Sequence, residues 1–243
     1  MIELVAHRGY ARRYPENTLA ALEGAVAAGA RSIEVDVQLT ADGMPVLFHD
    51  RDCRRLCGVA GAIGDYDLAA VSTFTVAWPE PTTAPQAAIP VACLTDLAAF
   101  LARHPAVTAF VEIKRQAIGR RGPDWAVRAV REILTPVLTQ TVLISFSRPV
   151  LGAGRALWPA IGLVTKRYRE FAEIDRAHLA PEYHFCDVGG LPRHGFLGHE
   201  GSTLVVYEVD DALRARALEA RGVRLIETFA CAELSHALGG SCP

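Results

Sequence analysis

The stretch "SIEVDVQLTADGMPVLFHD" (residues 32–50) decides how the rest of the chain is read. Its first eight residues alternate strictly. Ile33, Val35, Val37 and Leu39 fall on one side and Glu34, Asp36 and Gln38 on the other, the two-residue period of a β-strand. Asp42-Gly43 then signals a tight hairpin turn. "PVLFHD" (45–50) reads as an antiparallel return that brings His49 back to the level of Asp36. A return of this kind does not count among parallel strands.

Outward from this hairpin, short apolar runs alternate with helical patterns. With the return set aside, eight strands are expected, at 3–7, 32–37, 108–113, 141–146, 160–165, 183–187, 203–208 and 223–227. Such alternation means parallel strands joined by crossover helices. Eight βα units in 243 residues is the count of a closed barrel. The expected fold is therefore α/β, a (β/α)8 TIM barrel, with a β-hairpin extension after the second strand and an insertion, roughly 51–95, over the barrel mouth. That insertion is the longest irregular stretch and carries Gly58, Gly61, Gly64, Pro79, Pro81 and Pro85. An open doubly wound sheet is the alternative, and the first turn lacks the GxGxxG of its dinucleotide-binding form. No linker divides the chain, so residues 1–243 read as a single barrel domain.

Composition narrows the function classes. The chain is 51% hydrophobic and 21% charged, enough to bury a full core. Its net charge of −2 lacks the basic excess of a nucleic-acid binder. Arg12–Arg13 and Arg120–Arg121 read as solvated pairs. The N-terminus "MIELVAHRG" has no secretory pattern, and no stretch approaches the roughly 18 apolar residues of a membrane span. A soluble, cytoplasmic protein without an integral membrane segment is expected. Six cysteines (Cys53, Cys57, Cys93, Cys186, Cys231, Cys242) lie scattered without a CxxC pair and read as buried small apolar groups.

Barrels place catalytic groups at the C-terminal ends of their strands. Four groups fall there: His7 with Arg8, Glu34 with Asp36, the returned His49, and Glu112 with Lys114. Glu34 and Asp36 lie roughly 6–7 Å apart on one strand face. Alone they read equally as an inward pair needing a cation or as a solvated pair on an edge strand. Glu112, set among apolar neighbours in "TAFVEIK" (108–114), favours the inward reading. Three carboxylates then form a hard oxygen site for Mg²⁺ or Ca²⁺, with Mn²⁺ also compatible. His7 and His49 suit acid and base work near neutral pH, with metal ligation or a structural role as alternatives. The other six histidines read as structural. Arg8 and Lys114 suit a phosphate, or ion pairing with the local acids. Pro15 to Thr18 read as a turn and helix start, with Asn17 or Thr18 as cap. Gly9 answers a restriction of backbone or space at the strand exit. Together these groups imply hydrolysis or transfer at phosphorus. No GxSxG elbow or Walker sequence competes.

These residues resemble the glycerophosphodiester phosphodiesterases. The matching pieces are "HRG" (7–9), "PENT" (15–18), "EVDVQLTADGMPVLFHD" (34–50) and "EIK" (112–114), with "ISF" (144–146) a weaker match. The resemblance implies a barrel hydrolase that cuts glycerophosphodiesters to glycerol 3-phosphate and an alcohol. It implies Glu34, Asp36 and Glu112 as metal ligands, His7 and His49 as the acid/base pair, and Arg8 and Lys114 on phosphate oxygens. Lysophospholipase D-type activity, with Val71, Phe74, Val76 and Trp78 lining a tail groove, and a non-catalytic phosphoester-binding protein are the alternatives. The sequence departs from the family late. A "WTVN"-like stretch reads Tyr207-Glu208-Val209-Asp210, and a Thr-Asp strand end reads Thr228-Phe229. The departures bear on substrate preference, since that rim, Tyr207 included, would touch the glycerol or head group.

Overall fold

The alternation of Ile33 to Leu39 becomes part of a closed wall in the computed structural model, which describes residues 2–79, 87–119, 121–172 and 179–239. Its strands are β1 (Glu3–His7), β2 (Ser32–Leu39), β3 (Pro45–Leu47), β4 (Thr75–Val76), β5 (Ile89–Pro90), β6 (Thr108–Ile113), β7 (Thr141–Ser145), β8 (Ile161–Thr165), β9 (Tyr183–Asp187), β10 (Thr203–Tyr207) and β11 (Leu225–Thr228). Eight of them pair in parallel around a ring. The ring runs β1-β2-β6-β7-β8-β9-β10-β11 and closes where β11 pairs with β1. With its crossover helices this is a (β/α)8 barrel.

Two apolar layers follow from the two-residue period. Ile33, Val35, Val37, Val111 and Leu143 face outward and pack beneath helix residues such as Leu22, Leu97, Phe100 and Val127. Val5, Phe110, Val142, Ile144, Val164, Phe185 and Val205 fill the barrel interior. The inward-facing acids Glu34, Asp36 and Glu112 lie beyond this layer, toward the C-terminal rim.

The Asp42-Gly43 turn is present, with Gly43 at φ +92° and its N–H donating to Thr40 O at 2.9 Å. The return strand β3 pairs antiparallel with β2, Val37 opposite Leu47 and Leu39 opposite Pro45. Phe48 N–H then donates to Asp36 O at 2.9 Å. The segment beyond packs on this hairpin: Val71, Phe74 and Val76 join Val46, Phe48 and Ile63 in a separate cluster beside the rim. Val71, Phe74 and Val76, three of the residues suggested for a tail groove, are thus engaged in packing, and Trp78 donates Nε1–H to Ala87 O at 3.0 Å.

Cys53, Cys57, Cys93, Cys186 and Cys231 are free thiols, the first and last two buried. Pro81, Pro85, Arg120, His178 and Cys242 lie outside the described residues. Among the described residues no helix is long and apolar enough to cross a membrane.

Candidate active site

Strand register brings the predicted groups together. His7 on β1 sits opposite Glu34 on β2, and Asp36 sits opposite Glu112 on β6. His7, Arg8, Glu34, Asp36, His49, Glu112, Lys114 and Tyr207 all line one small cavity of about 100 Å³ at the C-terminal mouth. Ile144, Val164 and Phe185 form its apolar floor. A wider cleft of about 310 Å³ lies elsewhere, lined by Ile2, Arg31, Arg216 and Leu238, and touches none of these groups.

The turn after β1 is built to aim Arg8. Arg8 and Gly9 both have positive φ, +56° and +78°. A Cβ on Gly9 would come within 2.6 Å of the Ala21 carbonyl carbon, so both backbone and space require glycine there. Thr18 caps the helix Leu19–Ala27, its hydroxyl accepting from Ala21 N–H. Asn17 does something else. At φ +57° it donates Nδ2–H to Asp36 Oδ2 (2.9 Å) and accepts from the Asp36 N–H (3.0 Å). The "PENT" turn therefore holds a site carboxylate as well as starting a helix.

The acids divide by their partners. Lys114 Nζ lies 3.0 Å from Asp36 Oδ1 and 3.1 Å from Glu112 Oε1, and Arg8 Nε lies 3.1 Å from Asp36 Oδ2. Burial pushes Asp36 upward, but Lys114 and Arg8 outweigh it and hold the carboxyl well below the usual range. Burial prevails at Glu112, which is pushed up to about 7 despite Lys114. Glu34 is pushed well above its ordinary value by burial, then by Asp36 and its other acidic neighbours. Burial, then Arg8, lowers the His7 pKa well below 6.5; burial also lowers that of His49. Both imidazoles are therefore neutral near pH 7.

His49 is held by an ion-pair network. Its Nδ1 lies 2.8 Å from Asp50 Oδ1. Arg55, from the helix Arg54–Cys57, grips Asp50 with Nε (2.6 Å) and Nη2 (2.7 Å) and Glu16 with Nη1 and Nη2 (2.9 Å each). Glu16 in turn accepts from Arg8 Nη1 at 2.8 Å. Gln38 supports the strand end from below, donating Nε2–H to the carbonyls of Phe48, His49 and Asp50.

His7 is packed rather than tethered. Its ring stacks on Phe229 at 4.5 Å and 12°, with Glu34 Oε2 and Glu208 Oε1 each 3.6 Å from a ring nitrogen. Arg8 lies over the same phenyl ring at 5.5 Å. Tyr207 lines the cavity with its ring, while its hydroxyl donates to Thr165 O at 2.8 Å. Asp210 does not line the cavity but ties down the end of β11, accepting from Thr228 Oγ1 (2.6 Å) and Phe229 N–H (3.1 Å).

Sequence reasoning placed Phe229 at the substrate rim without its contact to His7, gave no site role to Gln38, Asp50 and Arg55, and above all overlooked Glu227. Glu227 is a buried glutamate on β11 that lines the same cavity. The signal was there: a carboxylate inside the apolar run "RLIET", the same argument that singled out Glu112.

The donor set fits a hard divalent cation. Glu34, Asp36 and Glu112 each offer an oxygen, the three within 4.8 Å of one another, and all are buried. Buried carboxylates raised by burial and mutual repulsion are what such an ion relieves. The sequence pattern of the glycerophosphoryl diester phosphodiesterase family matches residues 7–145, which contain every one of these groups. The chain belongs to that family. Among similar members, a glycerophosphodiester phosphodiesterase of Bacillus altitudinis is 46% identical over 66 residues, 27% of each chain. Human glycerophosphodiester phosphodiesterase 1 is 44% identical over 64 residues, 26% of this chain and 19% of that one. The chain thus matches about a quarter or less of these relatives' length. Over the whole fold, an Oleispira antarctica phosphodiesterase solved with its product sn-glycerol-3-phosphate superposes with a TM-score of 0.82 at 22% identity, covering 98% of this chain and 97% of that one. A glycerophosphodiester phosphodiesterase from Agrobacterium tumefaciens gives 0.74 at 22%, covering 97% and 100%. At these identities the likeness concerns the barrel.

Proposed function

We propose that the chain hydrolyses glycerophosphodiesters to glycerol 3-phosphate and an alcohol, as one barrel domain with the insertion at roughly 51–95 as an appendage. One observation carries this reading: two histidines line the same small cavity as three buried carboxylates and the cationic side chains of Arg8 and Lys114. Family membership and the product held by the Oleispira antarctica phosphodiesterase support the substrate class.

Glu34, Asp36 and Glu112 would hold a divalent cation, which supplies positive charge against the phosphate oxygens. Arg8 and Lys114 bind and orient those oxygens. An imidazole that donates its Nδ1 proton to Asp50 keeps its Nε2 lone pair for the reacting group, so His49 accepts the proton of the glycerol hydroxyl that attacks phosphorus, and water then opens the resulting cyclic phosphate to glycerol 3-phosphate with the two histidines in reversed roles. His7 acts as the acid from its protonated form: it takes up a proton beforehand and gives it to the leaving alcohol oxygen as the bond from that oxygen to phosphorus breaks. The stacked Phe229 and the apolar floor keep water from the far side of the His7 ring. Because Val71, Phe74 and Val76 are engaged in packing, the geometry favours small glycerophosphodiesters over lysolipids.

The test is turnover of glycerophosphocholine by chelator-treated protein resupplied with Mg²⁺, Ca²⁺ or Mn²⁺. Activity is expected to return with at least one ion and to be lost in His7→Ala and His49→Ala. Undiminished turnover in either variant would remove that histidine from the mechanism.

A further inference from the structure

Glu227 has no task in the mechanism above, yet it is the residue most in need of one. It is 3% exposed, and its Oε1 is buried without a hydrogen-bond partner. An ionised carboxylate in that state is costly unless a cation or a proton reaches it.

The fixed cations of the mouth are engaged elsewhere. Lys114 bridges Asp36 and Glu112, and Arg8 holds Asp36 and Glu16. Glu34 has only the Arg8 backbone N–H at 3.2 Å and the His7 ring at 3.6 Å. Among the described residues, Glu34 and Glu227 are thus the two buried acids with no lysine or arginine side chain within ion-pair distance. They are also neighbours, since one ligand atom each of Glu34, Glu227 and His7 fall within 4.8 Å of one another. The reason is closure of the barrel: β1 pairs with β2 on one side and β11 on the other, with Val5 opposite Glu227. Arg8 and Lys114 face the buried carboxylates of Glu34, Asp36, Glu112 and Glu227, and Arg8 is shared with Glu16, so negative charge is in excess there and a divalent ion would offset it.

We propose that Glu227 is a fourth carboxylate of the cation site, entering beside Glu34 from β11. The inference rests on the phosphodiesterase reading above and deepens it. A fourth carboxylate adds oxygen donors and negative charge to the cage, which suits Ca²⁺, an ion that takes many oxygen ligands, more than Mg²⁺, which keeps its waters.

Calorimetric titration of the chelator-stripped full chain with Ca²⁺ and with Mg²⁺ tests this, comparing wild type with Glu227→Gln, Glu227→Leu and Glu34→Gln. Melting temperatures are read with and without each ion. Both Glu227 variants are expected to bind Ca²⁺ about 10-fold or more weakly. Without metal they are expected to melt above wild type, because an uncompensated buried charge is gone, and to gain less on adding the ion. Wild-type affinity in both variants would overturn the inference and point to a proton held on Glu227. A lower melting temperature without metal would overturn it too, since it would reveal a partner in the metal-free protein. If wild type binds neither ion, or Glu34→Gln binds like wild type, the whole cation reading fails. If Glu34→Gln is weakened and Glu227→Gln is not, only the role of Glu227 fails.

Discussion

His49 Nδ1 lies 2.8 Å from Asp50 Oδ1, and the two residues are sequence neighbours at the end of a hairpin return. That contact fixes which ring nitrogen faces the cavity. In Asp50→Asn the amide can present N–H or C=O, and the ring loses its fixed tautomer. We expect kcat on glycerophosphocholine to fall about 100-fold with KM little changed. Equal losses in both parameters would mean that Asp50 binds substrate instead.

Arg55 links Asp50 to Glu16, and through Glu16 reaches Arg8. Surface ion pairs taken singly are worth little, but this one fixes two groups at the mouth. Arg55→Ala should lower kcat about 10-fold or more through misplacement of His49. Arg55→Lys should recover part of the loss, and less than half, because an ammonium cannot grip two carboxylates in a bidentate way. Steady-state kinetics of both variants, with circular dichroism to verify the fold, check this.

Gly9 sets the exit of β1. Its φ of +78° and the 2.6 Å approach that a Cβ would make to the Ala21 carbonyl carbon act together. Gly9→Ala should destabilise the protein by about 2 kcal/mol or more. The readout is the urea midpoint; a change within error would show that the turn relaxes freely.

His184 is a pH lever on stability outside the site. It is fully buried, with Nε2 2.8 Å from Thr165 Oγ1 and Nδ1 2.9 Å from His199 Nε2. Burial, then His199, pushes its pKa from 6.5 down to about 3. The folded protein keeps it neutral where the unfolded chain protonates it. The unfolded state therefore binds more protons between those values, so stability is complete above pH 6.5 and is lost as pH falls toward about 3. In His184→Asn the pH slope of unfolding free energy should flatten by up to about 1.4 kcal/mol per pH unit within that window. Urea titrations at about pH 7 and about pH 4.5 measure it, and identical slopes would exclude His184 as the source.

Much of this protein is legible in the order of its residues. The alternation in residues 32–39, the Asp42-Gly43 turn and eight strand–helix units lead to the barrel and its hairpin, because side-chain period and turn chemistry are local properties of the chain. The carboxylates of Glu34, Asp36 and Glu112, the two histidines and the two cations lie within the first half of the sequence, in strands whose polar faces mark them out. The tertiary structure alone decided which of these groups neutralise one another. It set Lys114 between Asp36 and Glu112, gave Asn17 to Asp36 rather than to a helix cap, and placed Phe229 under His7. It also delivered Glu227 to Glu34. These contacts depend on the ring closing between β1 and β11, strands at opposite ends of the chain. No local period encodes that closure; it follows from hydrogen-bonding the last strand edge to the first.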